Sequence, residues 1–262
     1  MNTRRIWGMM LRNWYVWIRD LDRIFDAFWW AFFDLATWGL MSSYFAKLYG
    51  SDNMMMLILT GVIFWSILAR SQWEITVSMI IESWERNLIN IFTTPITVAE
   101  FLASSILLGL GKLLLVLLFM AGVTLLFYQY NIFTALHWEI IPLLASLFLT
   151  CIWIALVVNA LILRFGKQVI SFAWTLVFII NPLSGVVYPI SSLPPVLQTL
   201  AKFVPTSYVF EAMRRLLLTG TMDWGLVGIS VVLNAGYVVL GVIVFFRTFR
   251  QARARGWLIK LA

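Results

Sequence analysis

The sequence has few of the side chains that carry most enzyme chemistry. Its 262 residues include one histidine, His137, and one cysteine, Cys151, and they contain neither an HExxH nor a GxSxG pattern. A metal centre or a nucleophile with its base needs several such groups close together. We therefore predict no catalytic residue and no metal site, which argues against an intramembrane protease or transferase. A single cysteine also excludes a disulfide within the chain.

Charged residues are scarce as well. They make up 12% of the chain, against roughly 25% in a soluble domain, while 62% of the residues are hydrophobic. This composition predicts a polytopic membrane protein whose residues 1–262 form one transmembrane domain. The net charge of +7 does not indicate a nucleic-acid partner, because the basic residues lie at the ends of apolar runs rather than on one face.

Long apolar runs dominate what is present, and we predict an all-α membrane protein with six transmembrane helices. The predicted spans are 27–46, 54–81, 98–128, 140–163, 168–182 and 224–246. Residues 1–23 predict an amphipathic helix in the membrane interface, because arginines seven residues apart lie opposite an apolar stripe.

Basic residues and prolines predict the topology. The basic residues concentrate before the first span, between the fourth and fifth spans and after the last. This distribution predicts a multi-pass protein of the cell (inner) membrane with both termini in the cytoplasm. Five of the seven prolines fall between positions 182 and 205. Two short helices joined at a proline are typical of a re-entrant or interfacial hairpin, so we predict an external hairpin over 182–220.

Charged residues inside the predicted spans leave two questions open. Asp34 lies near mid-depth of the first span, where a carboxylate costs at least ~2.5 kcal/mol, so it faces either a pathway or subunit contact, or a structural ion pair. Arg70 and Glu74 are four residues apart in the second span and can pair with each other, or Arg70 can meet Asp34. Lys112 lies inside the third span.

Residues 82–95 form a short segment rich in polar residues between two long apolar runs. The spacing predicts a helix with Trp84 on an apolar side and with Glu82, Arg86 and Asn90 on one polar stripe. The Thr-Thr-Pro sequence at 93–95 ends it. This pattern fits either a plain surface helix or a docking element that presents its polar face to another protein.

Several short sequences occur together in a specific order. They are the helix at 82–95 ending in Thr-Pro, the run NPLSGVVYP at 181–189, Leu-Pro at 193–194, Pro-Thr at 205–206 and EAMR at 211–214. With these features, the chain resembles the membrane subunits of type-2 ATP-binding-cassette exporters over nearly its whole length. The resemblance implies a permease that pairs with a second, identical copy, contacts membrane lipids and docks separate ATPase subunits, which bind ATP and magnesium; this chain itself needs no cofactor.

The resemblance also implies roles for individual residues. The ATPase-coupling set is Glu82, Trp84, Glu85, Arg86, Asn87 and Asn90. The pathway set, from the first and fifth spans and the external loop, is Trp30, Asp34, Thr37, Tyr44, Asn181 and Tyr188. The expected substrate is a lipid-linked glycan or a hydrophobic or amphipathic small molecule leaving the cytoplasm, and a channel or scaffold without ATP coupling is the alternative.

Overall fold

The computed structural model of the protein describes residues 1–50, 52–85 and 87–256, and all regular structure in these ranges is helical. The prediction of an all-α membrane protein is confirmed. The α-helices are α1 (Thr3–Arg19), α2 (Leu21–Tyr49), α3 (Asp52–Trp84), α4 (Leu88–Thr93), α5 (Val98–Tyr128), α6 (Ile132–Leu136), α7 (Ile140–Phe165), α8 (Ser171–Ser184), α9 (Pro195–Ala201), α10 (Pro205–Thr219) and α11 (Trp224–Ala254).

Four of the described helices, α3, α5, α7 and α11, are long and apolar enough to cross a membrane. The other two predicted spans, α2 and α8, do not meet both conditions, each for a different reason. With 29 residues, α2 is long enough, but its tryptophans, serines and Asp34 lower its mean hydropathy. With 14 residues, α8 is only about 21 Å long, short of the ~30 Å hydrocarbon thickness. Six crossings therefore stay a prediction.

The centre of the bundle is α3, which packs against α2, α5 and α7, while α11 packs along α7. Leu59, Ile63, Phe64 and Ile67 on α3 are fully buried. A second apolar cluster lies where α1, the C-terminal half of α11 and the ends of α3, α5 and α7 converge around α4.

The N-terminal helix ends earlier than predicted. It stops at Arg19 instead of extending to residue 23, because the Asp20 side chain accepts hydrogen bonds from the backbone N–H groups of Asp22 and Arg23, 3.1 and 3.3 Å away, and so starts a new helix. Arg23 consequently belongs to α2. The buried stripe of α1 is Met9, Asn13 and Trp17.

The prediction of one continuous helix over 82–92 is wrong. Helix α3 continues to Trp84, and a turn separates it from the six-residue α4. The turn is closed by the Asn87 backbone N–H, which donates to the Glu82 carbonyl 2.9 Å away, while the Asn87 side chain donates to the Glu82 carboxylate at 2.7 Å. The break lets Leu88 and Ile91 of α4 bury their side chains in the bundle.

The proline-rich region contains two short helices, as its spacing predicts. Pro195 begins α9, Pro205 begins α10, and Gly220 ends α10 in the left-handed conformation, at φ 70°. Before them, α8 continues through Pro182 to Ser184 and is followed by Gly185 at φ 64°. The hairpin is fixed to α8 by a hydrogen bond between the hydroxyls of Ser184 and Thr206, 2.5 Å apart.

Candidate functional site

A groove of about 380 Å³ opens between α2 and α8, both of which lie against α3. Each helix contributes residues one turn apart, so each presents one stripe to the groove. The lining residues are Trp30, Asp34 and Trp38 on α2, Val62, Trp65, Ser66, Ala69, Arg70 and Gln72 on α3, Val177, Phe178 and Asn181 on α8, and Val186 and Val187 beyond it.

The walls of the groove are aromatic and open sideways. Trp30 is 55% exposed and Phe178 is 65% exposed, so these two lining side chains lie at the open edge of the groove. Trp65 forms a deeper, partly buried wall. An apolar cavity with a few polar groups is the usual form of a binding site for an organic molecule.

Asp34 supplies the negative charge of this groove. Its Oδ2 accepts a hydrogen bond from Ser66 Oγ at 2.9 Å. Within the described residues it forms no ion pair, so the structure does not show the Arg70–Asp34 pair that the sequence left open as one alternative. Arg70 instead donates from Nη1 to Asp26 Oδ1, 3.0 Å away.

Asp26 and Glu74 belong to a buried ion network that joins α2, α3 and α5. Glu74, 1% exposed, pairs with Arg23 and lies 3.1 Å from Lys112 Nζ. Lys112 Nζ is also 3.5 Å from Asp26 Oδ2. With Arg70, the network holds three cations and two carboxylates. The Arg70–Glu74 pair, the other alternative left open by the sequence, does not form either, since each residue pairs with other helices.

Three of the six predicted pathway residues line the groove and the other three do not. Trp30, Asp34 and Asn181 share the groove. Thr37 and Tyr44 lie on exposed positions of α2 and do not line it. Tyr188 lies beyond the groove, and its hydroxyl donates to the Pro182 carbonyl at 2.8 Å.

The sequence reasoning missed Trp38, Trp65, Ser66 and Phe178 as groove residues. Trp38 had a signal, because it continues the i, i+4 spacing of the predicted pathway residues on α2. The residues on α3 and α8 had none, because one helix's sequence does not reveal which stripe faces a distant helix.

The loop between α8 and α9 is held by an arginine. Arg214 on α10, 8% exposed, donates from Nη2 to the carbonyl oxygens of Gly185 and Tyr188, 2.7 and 2.9 Å away, and from Nη1 to Glu211 at 2.8 Å. Burial lowers the pKa of Arg214, and the adjacent Glu211 carboxylate opposes that shift. The contacts connect the α8 terminus rigidly to the hairpin.

The predicted coupling segment offers a smaller polar surface than expected. Glu85 and Asn90 are exposed, and Trp84 is 50% exposed. Glu82 is not on a wet face as predicted: it is 4% exposed and pairs with Arg12 of α1. Arg86 lies outside the described residues.

Residues 3–218 match the family of ABC-2 type transporters. The chain belongs to the ABC-2 type transporter family. No curated protein matches the chain. Family membership makes this chain an integral, multi-pass membrane subunit of a transporter and implies association with ATP-binding-cassette ATPases.

The geometry of this ABC-2 transporter subunit has two distinct regions. One is the sideways-opening groove between α2 and α8. The other is the turn from α3 to α5, where polar residues are exposed at one end of the bundle. Among the described residues, no cluster of His, Cys, Asp and Glu is suited to hold a metal ion.

Proposed function

We propose that the chain is the permease subunit of an ATP-driven exporter of the inner membrane, with both termini in the cytoplasm. Two identical copies form the pathway, and separate ATPase subunits bind ATP and magnesium and perform all hydrolysis. The observation that carries the proposal is the groove: Trp30, Asp34 and Asn181, which come from two distant parts of the sequence, line one cavity of an ABC-2 family member.

The chemistry of the groove supports an amphipathic substrate. Indole rings offer flat apolar faces, while the Asp34 carboxylate and the Asn181 amide supply hydrogen-bonding groups. A lipid-linked glycan and a hydrophobic or amphipathic small molecule both combine these properties. Because the groove opens sideways past the exposed Trp30 and Phe178, a second copy placed against α2 and α8 would close it.

Coupling to the ATPase is proposed through the turn between α3 and α5. The polar side chains of Glu85 and Asn90 are exposed there, while the Phe92 ring packs 5.1 Å from the Phe249 ring of α11 and 6.1 Å from the Phe101 ring of α5. A force on α4 would therefore reach two long helices through packed rings. The Arg12–Glu82 ion pair would carry the same motion to α1.

Co-purification with reversal of one exposed charge tests this function. The tagged full chain is solubilised from its native membrane, and a phosphate-loop ATPase is sought by mass spectrometry and by ATP hydrolysis. We expect the wild type to retain the ATPase and Glu85→Lys to lose most of it. The matched control is Lys202→Glu, since Lys202 is exposed at the opposite, hairpin end of the bundle.

Each result has a definite meaning. If the intact chain retains no phosphate-loop ATPase, the exporter proposal fails, and a channel or scaffold without ATP coupling takes its place. If the ATPase is retained equally by wild type and Glu85→Lys but lost from Lys202→Glu, docking occurs at the hairpin end and the proposed topology is wrong.

A further inference from the structure

We propose that the groove binds the cationic group of an amphipathic organic substrate, with the Asp34 carboxylate as its counter-ion. The proposal deepens the proposed function and rests on it, because it names the class of molecule that the permease carries. The substrate's positive group would be an amine, a quaternary ammonium or a similar organic cation. Its apolar part would lie against the aromatic walls.

The first argument is that Asp34 has no cationic partner in direct contact. Three other carboxylates on α2 and α3, Asp26, Glu74 and Glu82, are paired with cations. Asp34, in contrast, is without an ion pair in the described part of the chain. Ser66 donates one hydrogen bond to Oδ2, and no hydrogen bond from a described residue reaches Oδ1.

An unpaired carboxylate in a groove with apolar walls favours a cationic ligand. A charge in apolar surroundings is unfavourable unless it is paired or hydrogen-bonded. An organic cation entering the groove would supply the missing partner, and the attraction would be strong because part of the surroundings is apolar. An anionic substrate would meet repulsion from the same carboxylate.

Arg70 does not remove this preference, although it lines the same groove. Its guanidinium is held by Asp26 at 3.0 Å, and although the network has one cation more than it has carboxylates, none of its cations forms an ion pair with Asp34 among the described residues. Lys112 is likewise occupied by Asp26 and Glu74. The groove therefore presents one carboxylate whose charge is not offset by a direct contact.

The second argument is the arrangement of the tryptophans. Trp30 and Trp38 lie one helical turn before and after Asp34 on α2, and Trp65 lies next to Ser66 on α3. Indole is the best of the aromatic side chains at attracting a cation over its face, and aromatic cages of this kind bind quaternary ammonium groups. A neutral sugar could stack on the same rings but would not require the carboxylate.

The test uses two probes of similar size and opposite charge, tetraphenylphosphonium and tetraphenylborate. The full chain is placed in nanodiscs of zwitterionic lipid, and binding is measured by calorimetry with empty nanodiscs subtracted. We expect saturable binding of tetraphenylphosphonium. Asp34→Asn should weaken it about tenfold or more, which corresponds to about 1.4 kcal/mol, while leaving binding of tetraphenylborate no weaker.

Three variants in the groove and one control outside it separate charge from structure. Asp34→Asn keeps an oxygen that can accept from Ser66, so the local fold should persist. Asp34→Glu keeps the charge and should retain binding of tetraphenylphosphonium. Trp30→Leu, at a 55% exposed position, should weaken that binding about threefold. Glu139→Gln, an acid outside the groove, should leave it unchanged.

Three results would overturn the proposal. The first is equal affinity of wild type and Asp34→Asn for tetraphenylphosphonium, and the second is the lack of saturable binding by the wild type. The third is binding of tetraphenylborate by the wild type as tight as that of tetraphenylphosphonium. None of these results touches the exporter proposal, because that depends on ATPase association and is tested without any substrate probe.

Discussion

The ion network between α2, α3 and α5 should respond asymmetrically to the loss of its members. It contains Arg23, Arg70 and Lys112 against Asp26 and Glu74, an excess of one cation. Glu74→Gln leaves three cations with a single carboxylate. Lys112→Met instead leaves two matched pairs, Arg23 with Glu74 and Arg70 with Asp26.

The magnitudes follow from burial and distance. Glu74 is 1% exposed and Lys112 is 4% exposed, with 3.1 Å between Oε2 and Nζ. Two unit charges ~4 Å apart attract by about 4 kcal/mol at an effective dielectric constant of ~20, and removing one partner of a buried pair costs about 3–5 kcal/mol. Glu74→Gln should approach that cost. Lys112→Met should cost less than half as much, because it removes the excess charge together with the attraction.

Thermal unfolding in detergent, followed by circular dichroism, measures this difference. In a chain of this size about 1 kcal/mol moves the midpoint by ~2–4 °C, so Glu74→Gln should unfold at least ~6 °C below wild type. Adding Lys112→Met to Glu74→Gln should restore part of the loss, because the excess of cations falls again. Equal midpoints for the two single variants, or a double variant less stable than Glu74→Gln, would refute the reasoning.

Two further predictions concern backbone contacts. A Cβ at Gly61 would collide with the Val186 carbonyl oxygen, so Gly61→Ala should lower stability by about 1–3 kcal/mol. Gly111 has open space around it, so Gly111→Ala should raise stability by about 1 kcal/mol. Thermal midpoints of the two variants that move in the same direction would contradict this. Arg214→Met should speed amide hydrogen exchange over residues 186–193, because two carbonyl contacts are lost, and exchange as slow as in a Lys202→Met control would show that the loop is held by other contacts.

The long helices could be predicted because their signal is local. Long apolar runs predict α3, α5, α7 and α11, even with Arg70 and Glu74 in α3 and Lys112 in α5, and all four are long and apolar enough to span. The turn between α3 and α4 could not be predicted from spacing, which does not show that the Glu82 carbonyl and carboxylate accept from Asn87 or that Glu82 pairs with Arg12, 70 residues earlier. On spacing alone, Glu82 belongs with the polar stripe of one continuous helix.

In the groove, too, contacts along one helix could be predicted and contacts between helices could not. The spacing of Trp30 and Asp34 gives their common side of α2, but the choice of Ser66 as the partner of Asp34 depends on how α2 packs on α3. Likewise Arg70 and Glu74 are neighbours along one helix, yet each pairs with residues from other helices. Residue spacing predicts which side chains share a face, while helix packing decides what that face meets.

Docking of an ATPase on α4 is tested most directly by crosslinking from a cysteine introduced on the surface. Cys151 is fully buried, so a cysteine introduced on the surface is the reactive one for a thiol-linked photo-crosslinker. In native membranes, we predict that Asn90→Cys on α4 crosslinks to a phosphate-loop ATPase and that Lys202→Cys at the hairpin end does not. Failure of Asn90→Cys to reach the ATPase, or an equal yield from Lys202→Cys, would contradict docking at the turn between α3 and α5.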